Sequence, residues 1–243
     1  HHSCSAAALL GGGRSPRPGE VSLAHGGVLF LDELAEFPRA VLDQLRQPLG
    51  QGAAQISRSQ QSTVFPALVT LVAATNPCPC GWHGDRDHGC RCSISQRQRY
   101  WQRLSGPLLD RLDLQLRLER RSAKEVAAVL KQPSPTQAAA SWCTPAQIER
   151  ARQRMQRRNP GGASNGRLSA AALRQTGAIE AAALELWEQL INQRGLSTRS
   201  SLQLLRVART IADLNDRASV DRNAVAEASC FRCTDLLKQP GAQ

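Results

Sequence analysis

Aromatic residues are scarce in this chain. Four Trp, four Phe and one Tyr make up 4% of 243 residues, and Tyr100-Trp101 is the only adjacent pair. That weighs against a reading built on base stacking. Lysine is nearly missing too: of 31 basic residues only Lys124, Lys131 and Lys238 are Lys, and none follows a glycine. A Gly-x-x-x-x-Gly-Lys-Ser/Thr loop, whose backbone N–H groups and Lys cradle phosphates, is therefore absent from the sequence. No run reaches the roughly 18 apolar residues of a membrane span, so no membrane partner is expected. The first residues lack a basic region leading into an apolar one, so no signal peptide is read and a cytoplasmic protein is expected. There is no initial Met, and His1-His2-Ser3 runs straight into patterned sequence. The start thus reads as internal to a longer protein.

What is present is positive charge and clustered cysteine. The formal net charge is +11, which favours phosphate-bearing partners, nucleic acid or nucleotide. A GC-rich genome is the other reading of Arg in place of Lys, but the net positive charge still needs a partner or a solvated face. Of eight Cys, four lie close together: Cys78, Cys80, Cys90 and Cys92. In an intracellular chain such spacing points to metal before disulfides. The length suits one large domain or two ordinary ones.

Residues 11–27 are rich in Gly, Pro and Ser and read as a loop or hairpin. Val28-Leu29-Phe30-Leu31 is continuously apolar, the look of a strand buried on both faces of a parallel sheet. Pro38 to Leu49 predicts a helix ended by Gly50 and Gly52, and 54–65 a projecting hairpin. Leu68 to Ala74 predicts a second buried strand, ending at Thr75-Asn76-Pro77. A helix follows from Ser95 to about Leu104, and a last strand is expected over Leu114–Leu118. Residues 122–131 read as a helix and 133–141 as a linker. From Thr144, with Thr144 as N-cap and Pro145 as first helical residue, the pattern is all-helical. The expected organisation is an α/β part over 1–121, a helix and linker over 122–143, and a helical domain over 144–243.

Ligands of open parallel sheets bind at the carboxyl ends of the strands. Asp32 and Glu33 follow the first strand. An Asp there suits Mg²⁺, and a neighbouring Glu can orient or deprotonate a water. Asn76 follows the second strand and can hydrogen-bond that water or a γ-phosphate.

Several segments together resemble a known family. Gly27-Val28-Leu29-Phe30-Leu31-Asp32-Glu33-Leu34, Leu45-Arg46-Gln47-Pro48-Leu49, Ile56-Ser57-Arg58, Val72-Ala73-Ala74-Thr75-Asn76-Pro77-Cys78-Pro79-Cys80-Gly81 and Leu104-Ser105-Gly106-Pro107-Leu108-Leu109-Asp110-Arg111 carry it. So do Gly195-Leu196-Ser197-Thr198-Arg199 and Leu205 to Leu214. The chain is similar to the magnesium chelatase subunit I-like AAA+ ATPases, in their ComM branch, over nearly its whole length and with the motifs in order. The resemblance implies the rear part of a P-loop ATPase core with hairpin insertions, followed by an all-helical lid. It makes Asp32 and Glu33 the Walker B pair, Asn76 sensor 1 and Arg111 an arginine finger reaching a neighbouring subunit. Arg199 becomes sensor 2 of the lid, and Arg206 lies two turns further on the same face. ATP with Mg²⁺ is the implied cofactor, a hexameric ring the implied assembly, and DNA helicase or branch-migration work in transformation or recombination the implied function. The loop at 11–20 and the hairpin at 55–64 would be insertions pointing into the ring, bringing Arg14, Arg17 and Arg58 to DNA phosphates. The family's phosphate-binding loop is expected upstream of His1. From the residues alone, a surface pair of Arg111 with Asp110 or Asp113 is the second reading, while Arg206 and the hairpin arginines equally suit a solvated face.

Cys78-Pro79-Cys80 and Cys90-Arg91-Cys92 can complete a tetrahedral structural Zn²⁺ site; free thiols are the second reading. Placed just after Asn76, a metal there could brace the sensor loop. Two other functions remain in view: the magnesium chelatase ATPase subunit itself, and a non-catalytic, zinc-stabilised DNA-binding or assembly module. The Cys-rich loop after Asn76-Pro77 speaks against the former.

Overall fold

The structure is a computed structural model that describes residues 4–13, 15–58, 61–131 and 143–232. Contacts divide the chain into two compact units, the first ending at Leu112 and the second beginning at Asp113.

The first unit opens with α1 (Ala6–Leu10), capped by the Ser5 hydroxyl, and the antiparallel pair β1 (Gly11–Gly12) and β2 (Arg17–Pro18). Gly11 has φ +106°, and a Cβ there would lie 2.4 Å from the Arg17 carbonyl oxygen, so the hairpin needs glycine at this point. Next come α2 (Glu20–Leu23) and β3 (Val28–Leu31). The single helix expected from Pro38 is two, α3 (Arg39–Gln44) and α4 (Arg46–Gln51). Pro48 explains the break: it has no N–H for the Gln44 carbonyl, and its ring crowds that same carbonyl. The expected hairpin is present as β4 (Ala53–Arg58) and β5 (Gln61–Pro66). Then β6 (Thr70–Ala73) returns parallel to β3, with Leu31 opposite Ala73.

Only one face of this two-stranded sheet is covered by the described residues. Leu29 and Leu31 are buried with Leu34, Phe37, Leu42, Leu45, Tyr100, Leu104 and Leu108, whereas Val28 and Phe30 are 62% and 58% exposed. The all-apolar run led to an expectation of two covered faces, and here the strands alternate. α5 (Ile94–Trp101) begins at a capping box made by Ser93 and Gln96, and α6 (Gly106–Leu109) follows.

The second unit begins with a stretch outside regular secondary structure rather than the strand expected over 114–118. Leu114, Leu116 and Leu118 alternate as a strand would, but no described strand lies beside them and all three are exposed, Leu118 by 89%. Helices follow: α7 (Ala123–Lys131), α8 (Pro145–Arg158), α9 (Ala170–Thr176), α10 (Ala181–Arg194), α11 (Thr198–Leu214) and α12 (Arg222–Cys230). α8 starts at the Thr144–Gln147 capping box, with Pro145 first in the helix. α11 is the core helix. Leu204, Leu205, Ala208, Ile211 and Ala212 pack with Ala183, Leu190, Ala224, Val225 and Ala228. Among the described residues no helix is long and apolar enough to cross a membrane.

A buried charge network ties this unit together. Arg209 is fully buried, and its guanidinium donates to Asp213 Oδ1 at 3.0 Å and to the carbonyls of Gly177, Arg217 and Ala218. Arg158 grips both Asp213 oxygens, at 2.5 and 2.8 Å, and Asn165 donates to Oδ2 at 2.9 Å. Burial alone would raise the Asp213 carboxyl, but Arg158, Asn165 and Arg209 outweigh it and hold it below the usual carboxylate range. Removing that carboxylate strands Arg209 in the core, so Asp213→Asn should destabilise the helical unit by about 3–5 kcal/mol. The native pair's contribution is present above the unfolded carboxyl pKa of about 4 and is lost as pH falls through the lower folded value. Trp187 lies in α10 and hydrogen-bonds Ser201, so its fluorescence during urea unfolding at pH 7 and pH 3 reads both effects. Equal stability of the Asn variant at pH 7 would refute the assignment.

Candidate functional site

The parallel pairing of β3 and β6 puts their carboxyl ends side by side. Asp32 is exposed at the end of β3, and its Oδ1 accepts the Glu33 N–H at 2.9 Å. Glu33 adopts φ +52°, ψ +44°, a left-handed conformation unusual for a residue with a Cβ. This reverses the chain at once into the 3-10 turn Leu34–Glu36.

That turn is fastened to the loop after β6. The Leu34 N–H donates to the Ala74 carbonyl at 2.8 Å, and the Ala35 N–H to Thr75 Oγ1 at 3.3 Å. The residues carrying Glu33 and Asn76 are thus held by two cross-links one residue apart, and Asn76 is exposed beside them. α5 supplies the backing. Tyr100 is buried with its hydroxyl 3.3 Å from Thr75 Oγ1, and Trp101 Nε1–H donates to the Pro77 carbonyl at 3.0 Å. Arg103 reaches the Ala35 carbonyl at 3.0 Å and Glu36 at 2.8 Å. Thr75, Tyr100, Trp101 and Arg103 escaped the sequence reading as site residues. Tyr100-Trp101, the one adjacent aromatic pair, was the available signal.

The four cysteines follow directly. Their sulfurs all lie within 4.8 Å of one another. Cys78 Sγ is 3.4 Å from Cys80 Sγ and 3.7 Å from Cys90 Sγ, and Cys80 and Cys90 are also 3.7 Å apart. These separations exceed the roughly 2.05 Å of a disulfide and match the edge, about 3.8 Å, of a tetrahedron of sulfurs around zinc. Backbone N–H groups point at the sulfurs. Trp82 N–H, the largest influence, and then Arg91 N–H lower the Cys80 thiol to about 6. Burial pushes the Cys78 thiol up, and burial with the neighbouring thiols pushes Cys92 to about 12. Four thiols gathered this closely are a donor set that a dication would satisfy by displacing protons. Arg97 binds the Cys92 carbonyl at 3.3 Å, so α5 is joined both to the cysteine cluster and, through Tyr100 and Trp101, to the Asn76 loop.

The remaining sequence-derived residues are placed within each unit as follows. Arg111 is partly buried, and its Nε–H donates to the Arg46 carbonyl at 2.7 Å and Nη1 to the Pro107 carbonyl at 2.6 Å. Arg17 is exposed on β2, whereas Arg14 and the Arg58 side chain lie outside the described residues. In the helical unit Arg199 is exposed in the first turn of α11. Arg206 is partly buried and directs Nε and Nη2 at the Leu168 carbonyl. Burial raises the Asp113 carboxyl, opposed by Arg232, Arg206, a Gln203 hydrogen bond and Arg199. Arg232 is the strongest of these positive charges on Asp113, ahead of Arg206 and Arg199. Asp113 follows Arg111 closely in sequence, so the sequence reading considered it only as a partner of Arg111.

Comparison with known proteins fits this geometry. The family model for magnesium chelatase, subunit ChlI, matches residues 1–126, and that for the ChlI C-terminal part matches residues 139–232. Uncharacterized protein YifB of Escherichia coli K12 is 40% identical over 237 residues, covering 98% of this chain and 45% of its own length. Competence protein ComM of Haemophilus influenzae is 40% identical over 241 residues, with the same two coverages, 98% and 45%. An uncharacterized protein of Mycobacterium tuberculosis H37Rv is 39% identical over 236 residues. The chain spans about half the length of the curated relatives it matches, 45% of each. With both family models matched in order and such identity along the whole chain, it belongs to the magnesium chelatase ChlI-like family of AAA+ ATPases, in the ComM branch.

Proposed function

We propose that this chain carries the hydrolytic edge of the nucleotide site in a ring-forming, hexameric ATPase that works on DNA. The supporting observation is the joint between the two strand ends, where Asp32-Glu33 and Thr75-Asn76 are cross-linked through Leu34 and Ala35. Asp32, exposed with one oxygen on the Glu33 N–H, suits a water-mediated hold on Mg²⁺. Bound Mg²⁺ with ATP would supply charge neutralisation at the β- and γ-phosphates. Glu33 orients and deprotonates the attacking water, and Asn76 fixes that water or the γ-phosphate. The left-handed turn at Glu33 reverses the chain at the strand end, and the Thr75–Tyr100 contact backs the Asn76 loop beside it. Family resemblance gives Arg111 the finger role toward a neighbour, for which it must leave the Arg46 and Pro107 carbonyls. It likewise gives Arg199, with Arg206, the lid role, and Arg14, Arg17 and Arg58 contact with DNA phosphates. The ComM relative at 40% identity favours DNA over porphyrin metallation as the work done.

The chain by itself has no phosphate-binding loop, so its ATP turnover should not exceed that of its Glu33→Gln form. In a longer protein that supplies the loop, Glu33→Gln should lower kcat by about 10²- to 10⁴-fold while nucleotide binding persists. Turnover by the present chain that Glu33→Gln abolishes would overturn this reading, as would a longer protein indifferent to the substitution.

We further propose structural Zn²⁺ at Cys78, Cys80, Cys90 and Cys92, in keeping with the sulfur separations. Native mass spectrometry should find one zinc per chain, and Cys90→Ser should lose it. Because the cluster is joined to α5, zinc loss should also lower the unfolding midpoint of the first unit by roughly 5 °C or more, read from Trp101. A metal-free native chain of unchanged midpoint would sink the assignment.

A further inference from the structure

The loop between the cysteine pairs, residues 81–89, takes no part in the nucleotide edge, yet it holds one of the four tryptophans of an aromatic-poor chain. Trp82 and His88 stack, with ring centroids 4.3 Å apart and planes 19° apart. The His88 side chain is nevertheless 49% exposed. With one face of the imidazole on Trp82, that exposure belongs to the rest of the ring.

The stack is held, not loosely draped. Asp85 Oδ1 accepts the backbone N–H groups of Asp87 at 2.9 Å and His88 at 2.8 Å, and it also faces His88 Nδ1 at 3.3 Å. Both ends of the loop are pinned by the cysteine cluster, with Cys80 and Cys90 sulfurs 3.7 Å apart. Gly81 and Gly84, with φ +80° and +83°, make the two sharp bends this requires. The Asp85 carboxylate is thus directed inward, leaving Asp87 as the exposed acid of the loop. Against it stand three exposed arginines on the loop and the helix behind it, Arg86, Arg91 and Arg99.

A pinned, half-exposed aromatic stack amid guanidinium groups matches the chemistry of an unpaired nucleobase. Every base has a π face that can continue such a stack, and guanidinium groups take the flanking phosphates. A duplex offers no such face along its length, because its bases already stack on one another. We propose that the cysteine-clamped loop is a contact for single-stranded nucleic acid: one base stacks on His88 over Trp82, with Arg86 and Arg91 at the adjoining phosphates. The scarcity of aromatics limits this to a single platform per chain, not an extended stacking surface. The inference rests on the DNA-acting reading only for its choice of partner. It needs no hydrolysis, and it concerns a surface other than the β4–β5 hairpin.

The test is direct binding of the present chain, without nucleotide, to a labelled oligothymidylate, an oligouridylate of equal length and a duplex, across a salt series. Trp82→Ala should weaken single-strand binding about tenfold or more, with Trp82→Phe within roughly threefold of wild type and duplex binding unmoved. Equal losses on the two single strands mean that the site reads the base face; a loss on thymidylate alone restricts it to DNA. Charge reversal at Arg17 should instead weaken single-strand and duplex binding alike and reduce the salt dependence. Zinc content measured on each variant shows whether the clamp survives; where Trp82→Ala loses zinc, His88→Ala decides. The proposal is overturned if the wild-type chain binds no single strand. It is also overturned if a zinc-retaining Trp82 or His88 variant binds single strands as wild type does, or loses single strand and duplex equally. None of these results bears on the Glu33→Gln comparison, so the two readings fail separately.

Discussion

The pair of hydrogen bonds from Leu34 to Ala74 and from Ala35 to Thr75 is the constraint on which the first unit's chemistry depends. A parallel ladder aligns two strand ends but does not hold the loops beyond them, because pairing stops where the strands diverge. Here the chain turns back immediately after Asp32, through the left-handed Glu33, and its next two N–H groups reach the neighbouring loop. Asp32, Glu33 and Asn76 thereby share one small frame. Any displacement of the Asn76 loop must also move the turn that carries Glu33.

The same frame extends outward through α5. Thr75 meets Tyr100, Pro77 meets Trp101 and the Cys92 carbonyl meets Arg97, so one helix of two turns joins the two strand ends to the cysteine cluster. Metal at the cluster would fix the loop on one side and the start of α5 on the other. The second unit solves a different problem. Its central helix buries Arg209, and Asp213 neutralises it with help from Arg158 and Asn165. A buried ion pair gives little net stability against an apolar pair, but losing one partner is costly.

Part of this was legible from residue order because the signals are local. Pro145 after Thr144, the alternating hairpin and the apolar spacing of α11 depend on backbone sterics and side-chain period, and each was found where expected. The misreadings came where a neighbour distant in sequence decides. Leu114 to Leu118 alternate like a strand, but a strand exists only if another lies alongside. Val28 and Phe30 promise a second covered face that no described residue supplies. Thr75 and Tyr100, 25 residues apart, have no joint signature until the fold brings their hydroxyls together.

What the sequence by itself determined is the inventory of groups that can act: Asp32 and Glu33 behind an apolar strand, Asn76 behind another, four cysteines in two close pairs, and family motifs in order. These are fixed by residue type and short spacing. Only the tertiary structure decided how those groups are held. It locked the two strand ends through Leu34 and Ala35, gathered the four sulfurs within 4.8 Å, turned Arg111 onto carbonyls of its own unit and stacked Trp82 on His88. The reason is physical. Hydrogen bonds and thiol clusters depend on distances of a few ångströms between segments, and those distances are set by packing rather than by the order of residues along the chain.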